Sequence, residues 1–446
     1  MTDNALENAF VRATMLRNAG QYSAACIFLR QALPADADAD ACYRVALFCK
    51  QSRREALALE LCESALARGL ASPRLCALAG VLAQMLGWFE QARRHLLAAW
   101  DTGIDPEEWQ VLPALAHTLR YSDAHHPDRV RLEQALARPQ LRSGTCSALH
   151  FALGKFFDDV GDHAAAVRHW RGAHRLGLEA QCWDEARWHR RVAIARHGFD
   201  LPPVAGADPA DPVPVLVVGM PRSGTTLLAE QLAQLPGTVN RGELPFLLHV
   251  HEQLAAARTF SPGLATDARA LWQAHLRQDD AVPARLYVDK NPMNLLAVDS
   301  ALLLCPQTRV IWCTRADADN ALSLWTQSFG HADYAFSHRF EDIATVQRDV
   351  EELRRHALAR WPDRIAAVDY GELVTTPAQV SARLCAFLGI ERTEPSSAAV
   401  PASAAIGSAS LWQARQPIHV RSLGRAARYL PWLPELAGFA GLQVDR

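Results

Sequence analysis

The sequence predicts two parts: an all-helical N-terminal repeat solenoid and a P-loop-like α/β domain with a parallel sheet. Helical segments separated by short turns follow one another up to about residue 196. Beyond residue 212, short apolar runs of strand length alternate with helices, as in a parallel sheet covered by helices. A proline-rich stretch between the two parts excludes a continuous helix. We therefore expect a helical domain at 5–196, a linker at 197–212 and an α/β domain at 213–446.

Small residues recur at fixed spacing in the helical part. In each set a small residue is followed twelve positions later by an alanine, and that alanine is followed seven positions later by another alanine. The four sets are Ala13/Ala25/Ala32, Ala46/Ala58/Ala65, Gly80/Ala92/Ala99 and Gly154/Ala166/Ala173. Their first members are 33, 34 and 74 residues apart, so we expect a degenerate unit around Leu112–Ala137. The spacing lets antiparallel helices pack closely and resembles the tetratricopeptide repeat (TPR). The alternative is an alanine-rich bundle without true repeats.

The α/β part begins with Val213–Gly219, an apolar run suited to a strand buried on both faces. Further strands are predicted at Leu286–Val288, Arg309–Cys313 and Ile365–Val368, and helices at Thr225–Leu235, Leu295–Leu304, Asn320–Gln327, Ile343–Arg360 and Pro377–Leu388. In such a sheet, ligands bind at the carboxyl ends of the strands.

Composition and charge argue against several functional classes. The net charge of −2 does not favour a binder of nucleic acid or of membrane surfaces. The apolar stretches are too short to span a bilayer, and Met1–Asn4 lacks the basic start of a secretory signal. None of the ten cysteines forms a C-x-x-C pair, which is typical of buried thiols in a reducing compartment. We therefore expect a cytoplasmic protein without a metal site.

A glycine-rich loop follows the first predicted strand. Gly219 and Gly224 bracket a four-residue bend, and a helix begins directly after it. Backbone N–H groups in such a bend, together with the helix dipole, favour an anion. The frame G-x-x-x-x-G is that of the nucleotide-binding P-loop.

Two departures separate this loop from that of a nucleoside triphosphatase. Thr225 stands where the phosphate-binding lysine is expected, and Arg315 follows the strand whose end should carry a metal-holding acid. These departures argue against magnesium–ATP chemistry. They favour transfer of a group less charged than a phosphoryl group, because fixed hydrogen-bond donors and side-chain cations suffice to stabilise its transfer.

These residues resemble the sulfotransferases that use 3′-phosphoadenosine 5′-phosphosulfate (PAPS). The most similar members are bacterial proteins that join TPRs to a sulfotransferase domain, and the protein-tyrosine sulfotransferases are a more distant likeness. The resemblance covers nearly the whole chain, including Phe151–Gly161 in the last repeat. It implies PAPS as the sulfate donor, PAP as the product, no metal requirement and a hydroxyl-bearing acceptor.

The resemblance also implies a donor site. Pro221–Thr226 looks like the 5′-phosphosulfate loop, while Arg315 and Ser323 look like the clamp on the 3′-phosphate, where a planar guanidinium can give two hydrogen bonds. Tyr370 looks like a nucleotide contact, although packing remains an alternative. The implied donor-binding residues are Arg222, Ser223, Gly224, Thr225, Thr226, Arg315, Ser323, Tyr370 and Arg425.

The implied catalytic residues are Glu243, Lys290, Arg222 and Ser410. Asp289–Pro292 resembles the segment whose lysine, here Lys290, approaches the bridging oxygen of the donor; the chain has only three lysines. Glu243 matches the base of the family's Gly-Glu motif. The tyrosine-specific enzymes have two consecutive acids where Leu244 follows Glu243 here. His249 and His251 therefore remain alternative bases, and tyrosine specificity is open. Ser410 and Arg425 match the serine and the basic residue of the C-terminal lid.

The predicted reaction is in-line transfer of a sulfuryl group from PAPS to a hydroxyl. Peptide tyrosine, sugar and metabolite hydroxyls all remain open as acceptors, and the repeats suit docking of an extended peptide or protein partner. Trp325, Phe329 and Tyr334 are candidates for an aromatic acceptor site, with core packing as the alternative. Rival interpretations are an atypical P-loop kinase and a catalytically inactive TPR scaffold.

Overall fold

The computed structural model describes residues 2–70, 72–198, 211–256, 262–280, 282–390 and 420–439. The N-terminal part is helical, as predicted. Its helices are α1 (Thr2–Asn18), α2 (Tyr22–Ala32), α3 (Ala39–Gln51), α4 (Glu55–Ala67), α5 (Pro73–Leu86), α6 (Phe89–Asp101), α7 (Val111–Ala116), α8 (Pro127–Leu136), α9 (Ser143–Asp159), α10 (His163–Ala180) and α11 (Glu185–His197). Within the described ranges, none of the chain's helices combines the length and apolar character needed to cross a bilayer.

Consecutive helices pack as hairpins, and the recurring small residues lie where they meet. The hairpins α1/α2, α3/α4, α5/α6 and α9/α10 each contain one of the predicted sets. The buried members are Ala13, Ala25, Ala46, Ala58, Ala65, Gly80, Ala92, Ala99, Gly154, Ala166 and Ala173. The unit expected to be degenerate contains the two shortest helices of this part, α7 with 6 residues and α8 with 10.

Two glycines explain why the first member of the set must be small in the α5/α6 and α9/α10 hairpins. A Cβ atom at Gly154 would lie 2.3 Å from Nε1 of Trp170, and one at Gly80 would lie 2.6 Å from Cγ of Leu96. Trp170 and Leu96 are themselves buried on the facing helix of each hairpin. The helices therefore approach to a distance that excludes a methyl group.

Replacing Gly154 with alanine is expected to lower the free energy of unfolding by about 1–3 kcal/mol, because the new methyl group overpacks against Trp170. Urea denaturation measures this change. The matched control is Gly144→Ala in the same helix, where the added Cβ meets nothing within 4 Å and the higher helix propensity of alanine should be neutral or stabilising. Equal effects of the two substitutions would contradict the close helix approach.

The C-terminal part contains a five-stranded parallel sheet. Its strands are β1 (Val213–Gly219), β2 (Thr238–Asn240), β3 (Leu286–Asp289), β4 (Arg309–Thr314) and β5 (Ile365–Asp369). Their order is β2-β3-β1-β4-β5, and every adjacent pair is parallel. The central position of β1 explains its continuous apolar sequence, since Val215, Leu216, Val217 and Val218 are all fully buried.

Helices cover both faces of this sheet. They are α12 (Thr225–Leu232), α13 (Phe246–Ala256), α14 (Pro262–Arg277), α15 (Val298–Leu304), α16 (Asp317–Trp325), α17 (Phe340–Arg360), α18 (Tyr370–Thr375), α19 (Pro377–Leu388) and α20 (Arg425–Tyr429), with 3₁₀ turns at Pro292–Ala297, Ala332–His338 and Pro434–Gly438. The predicted helices are all present. The helix at Pro377–Leu388 has the predicted bounds, whereas the others have shifted ends: α12 stops at Leu232, and the segment predicted from Leu295 begins as a 3₁₀ turn at Pro292.

The helical part and the sheet share one apolar core. Leu216 and Val218 of β1 belong to the same buried cluster as Trp170 of α10 and Trp325 of α16. Trp325 is 3% exposed, and its ring stacks on His174 with centroids 4.6 Å apart. Core packing, the alternative considered for Trp325, is therefore what this tryptophan does. The shared core joins the helical part to the face of the sheet that carries Leu216 and Val218.

Candidate active site

The loop after β1 has a backbone that few sequences tolerate. Gly219, Arg222 and Gly224 all have positive φ values, of 139°, 70° and 100°. A Cβ at Gly219 would lie 2.3 Å from the carbonyl oxygen of Cys313 on β4, and a Cβ at Gly224 would lie 2.6 Å from Cδ2 of Tyr370. The loop is thus pressed between β4 and Tyr370 and leads directly into α12 at Thr225. Such bends, followed by a helix start, form anion-binding concavities.

Arg222, Arg315 and Ser323, three of the expected donor-binding residues, lie together. Nε of Arg222 donates to Oγ of Ser323 at 3.1 Å, and Nη1 of Arg315 donates to the Arg222 carbonyl oxygen at 3.0 Å. The Arg315 guanidinium also covers the ring of Tyr370, 4.7 Å from its centroid. Arg315 occupies this place because β4 ends at Thr314, beside the loop.

Positive charge is concentrated around this loop. Burial, followed by the charges of Arg315 and Arg425, lowers the pKa of Arg222 to about 10. Burial also lowers the pKa of Arg315. The charges of Arg315 and Arg425 thus act against the charge of Arg222, and a bound polyanion would offset this repulsion.

Two buried polar atoms at the loop have no hydrogen-bond partner among the described residues: Oγ of Ser223 and Nε of Arg315. Buried donors are normally satisfied, so atoms of this kind point to a ligand or water. Both residues line a cavity of about 810 Å³ that also borders Thr314 and Asp369, at the ends of β4 and β5. This volume lies within the usual range for small-molecule sites, about 300–1,000 Å³.

Lys290 and Glu243 form an ion pair. Lys290 follows β3 directly, and its Nζ donates to Oε1 of Glu243. The lysine side chain is 4% exposed, whereas 36% of the glutamate side chain remains exposed. The backbone N–H of Lys290 donates to the carbonyl oxygen of Gly242 at 2.8 Å. The two residues predicted for proton transfer and leaving-group stabilisation are thus in contact, with the acid facing solvent.

The segment Glu243-Leu244 is tied down by two neighbours of Lys290. Oδ1 of Asp289 accepts from the Leu244 N–H at 3.3 Å, and Nδ2 of Asn291 donates to the Leu244 carbonyl oxygen at 3.2 Å. Asp289 is fully buried, and burial raises its pKa to about 7. Asp289 and Asn291 both belong to the motif Asp289–Pro292, but the sequence did not predict that they hold the Glu243 loop.

The alternative bases have other surroundings. His251 is buried on α13, and its Nδ1 lies 2.9 Å from Oγ of Ser300. Burial, with the charge of Arg191, lowers the pKa of His251 to about 4. His249 is exposed on the same helix. Glu243 is the candidate that contacts Lys290.

Arg425 is held by the helical part. Its Nη2 donates to Oδ2 of Asp158 on α9 at 2.7 Å, and the Tyr429 hydroxyl donates to Oδ1 of the same carboxylate. Burial alone would lower the pKa of Arg425, but Asp158 and Tyr429 beside it raise it above the ordinary value. Nη2 of Arg315 donates to the Ser422 carbonyl oxygen at 2.8 Å. The segment that carries Arg425 is thereby joined to the phosphate loop.

Sequence reasoning did not single out Asp158, although it lies within the quoted stretch Phe151–Gly161. Ser410 lies outside the described residues. Phe329 and Tyr334, candidates for an aromatic acceptor wall, stack with centroids 4.9 Å apart and are both half-buried.

Comparison with known proteins finds a family similarity in the C-terminal part. Residues 214–394 match the model of the sulfotransferase family. An uncharacterized protein of Aquifex aeolicus (strain VF5) is 26% identical over 323 residues, covering 68% of this chain, and the chain spans 42% of that protein's length.

Two solved structures are also similar. The sulfotransferase domain of the Synechococcus PCC 7002 olefin synthase has 20% identity and a TM-score of 0.31, covering 52% of this chain and 97% of that domain. The sulfotransferase STF1 of Mycobacterium tuberculosis has 16% identity and a TM-score of 0.29, covering 64% and 90%. The match to the sulfotransferase family model thus covers residues 214–394, the part that follows the N-terminal helical region.

Proposed function

We propose that this domain transfers a sulfuryl group from PAPS to a hydroxyl acceptor by in-line displacement, with no metal required. The observation that supports this most is that two groups of candidate residues lie at the carboxyl ends of neighbouring parallel strands. Arg222, Arg315 and Ser323 form one group beside β1 and β4, and the Lys290–Glu243 pair forms the other beside β3. Together they match the needs of a donor with several phosphate groups and of a proton-transfer step.

The residues present fit the donor. Oγ of Ser223 and Nε of Arg315, which lack partners among the described residues, are suited to phosphate or sulfate oxygens. Arg315 offers its planar guanidinium against the Tyr370 ring, an arrangement suited to a phosphate next to a nucleobase or ribose. The loop glycines allow the backbone to approach an anion closely.

In the proposed reaction the donor supplies the sulfuryl group, and the S–O bond to its bridging phosphate oxygen breaks as the acceptor oxygen bonds to sulfur. Glu243 accepts the proton of the acceptor hydroxyl, and its partial exposure leaves it open to that acceptor. Lys290 stabilises the negative charge on the leaving oxygen, and Arg222 stabilises the charge on the moving group. Ser410 is assigned the same supporting role by resemblance alone.

The reaction is tested with labelled PAPS offered to tyrosine peptides, sugars, phenolic metabolites and lipids. We expect label on at least one acceptor class from the wild-type chain and about 10²-fold less or lower from Glu243→Ala. Equal transfer by the two proteins would contradict the role of Glu243. Failure of the wild type to consume PAPS with every acceptor would favour an inactive scaffold in which the repeats bind a partner.

Replacing Arg315 with alanine is expected to weaken PAP binding by about 10²-fold, because two charge-assisted hydrogen bonds to the 3′-phosphate are lost. Binding of AMP, which lacks that phosphate, should change much less. Calorimetric titration of both nucleotides into wild type and variant gives the ratio of their affinities. A ratio that is unchanged in the variant would show that Arg315 does not recognise the 3′-phosphate.

A further inference from the structure

The turn between α3 and α4 contacts the loop that bears Glu243. Arg53 lies in this turn with a positive φ of 56°. Its Nη1 donates to the carbonyl oxygen of Arg241 at 3.1 Å, and its Nη2 donates to the carbonyl oxygen of Glu243. A Cβ at Gly242 would lie 3.0 Å from Nη1 of Arg53. The guanidinium therefore spans the backbone of residues 241–243, and the glycine allows it to come this close.

The same segment is held from the sheet side. The N–H of Arg241 donates to the Val288 carbonyl oxygen at 2.8 Å, and Lys290 N–H donates to the Gly242 carbonyl oxygen at 2.8 Å. The carbonyl oxygens of three consecutive residues are thus all hydrogen-bonded. Arg53 holds the first and third of them, and Lys290 holds the second.

The turn that carries Arg53 is itself anchored to the end of α14. Arg54 donates through Nε to Oγ of Ser23 at 2.9 Å and through Nη1 to Oε1 of Gln278 at 2.9 Å. Its Nη2 also lies 3.4 Å from the Asp279 carboxylate. The Tyr22 hydroxyl lies 2.7 Å from Nδ1 of His275. Arg53 is therefore presented by a built polar interface between the first helical hairpins and the α/β domain.

We propose that Arg53 is a positioning residue for the transfer reaction, supplied by the helical region from outside the sulfotransferase-family domain. This inference rests on the proposed function, because it gives Arg53 the task of fixing the base. Gly242 has a φ of 66° and flanks Glu243, so its segment has a freedom that Arg53 removes. Fixing the Glu243 backbone orients its carboxylate toward Lys290 and the acceptor. A displacement of about 1 Å at such a group can lower a rate by about 10²-fold.

The test compares Arg53→Ala with Arg54→Ala, a neighbour in the same interface. The Arg54 side chain contacts Ser23, Gln278, Asp279, Asp280 and the Arg53 carbonyl oxygen, whereas the Arg53 side chain contacts the backbone of residues 241–243. PAP release from PAPS is followed with the best acceptor of the panel. We expect Arg53→Ala to lower kcat by about 10- to 100-fold with the KM for PAPS within about threefold, and Arg54→Ala to keep kcat within about threefold. Millimolar guanidinium should restore part of the activity of Arg53→Ala alone.

A second variant and a second measurement keep the test decisive if Arg53→Ala folds poorly. Arg53→Lys keeps the charge but offers no planar fork, so we expect it to fold and to show a reduced kcat that added guanidinium does not restore. Amide hydrogen exchange of a peptide covering residues 240–245 should be faster in Arg53→Ala than in Arg54→Ala. If both Arg53 variants turn over PAPS within twofold of the wild-type rate, the positioning role of Arg53 is overturned and the proposed function is not. Absence of PAPS turnover by the wild type overturns the proposed function instead.

Discussion

Replacing Lys290 with alanine is expected to lower kcat by about 10²–10³-fold while leaving PAP affinity within about threefold. The ammonium is 4% exposed and contacts Glu243, the proposed base, so we propose that it acts at the reacting end of the donor rather than at the 3′-phosphate. Its charge becomes valuable only when the bridging oxygen gains negative charge in the transition state. Single-turnover kinetics with PAPS and calorimetry with PAP measure the two quantities separately.

The control is Lys50→Ala, which removes one of the other two lysines, on α3. It should change neither quantity. Equal losses of kcat and of PAP affinity in Lys290→Ala would contradict the proposed role and leave Lys290 as a general electrostatic contact. The variant Lys290→Arg keeps the positive charge but changes the shape of the charged group. It therefore tests the two separately, since a planar guanidinium does not replace a compact ammonium at a single oxygen.

Replacing Glu243 with glutamine is expected to lower kcat by about 10²–10⁴-fold, the usual contribution of a positioned general base. Glutamine is nearly isosteric and its amide oxygen can still accept the hydrogen bond from Lys290, so the fold and donor binding should be retained. The rate is measured against pH for a single acceptor. The base-dependent limb of the wild-type profile should be absent in the variant.

His249→Ala and His251→Ala are the comparators for this prediction. His251 bonds to Ser300, so its loss should lower stability more than kcat. His249 is exposed on α13, and its removal should have little effect. A larger loss of kcat in either histidine variant than in Glu243→Gln would move the assignment of the base to that histidine.

The sequence predicted the contacts that are local or that follow from strand order. The Gly154–Trp170 contact joins residues on successive helices of one hairpin, and such contacts repeat at a fixed spacing. Arg315 was predicted near the phosphate loop because parallel strands end at one edge of a sheet. β2 was missed, since Thr238–Asn240 has only three half-buried residues and no apolar run. The short helix at Tyr370–Thr375 was missed for the same lack of periodicity.

The polar contacts between the two parts could not be predicted. Arg53 and Glu243 are 190 positions apart, and Asp158 and Arg425 are 267 apart. A single hydrogen bond of this kind leaves no period in the sequence, because it depends on how two separately folded faces meet. In each contact one partner, Glu243 or Arg425, was identified from the sequence. The other partner, Arg53 or Asp158, belongs to the helical region.

Nucleotide binding tests the central claim, that the phosphate loop holds a PAPS-type donor, most directly. PAP is titrated calorimetrically into the wild-type chain in the presence of chelator, and ADP is titrated with magnesium under the same conditions. The loop has Thr225 in place of lysine, contains Arg222 and lies beside Arg315. It therefore predicts that PAP binds at least about 10²-fold more tightly and needs no metal. Tighter binding of ADP with magnesium than of PAP would contradict it and favour a kinase.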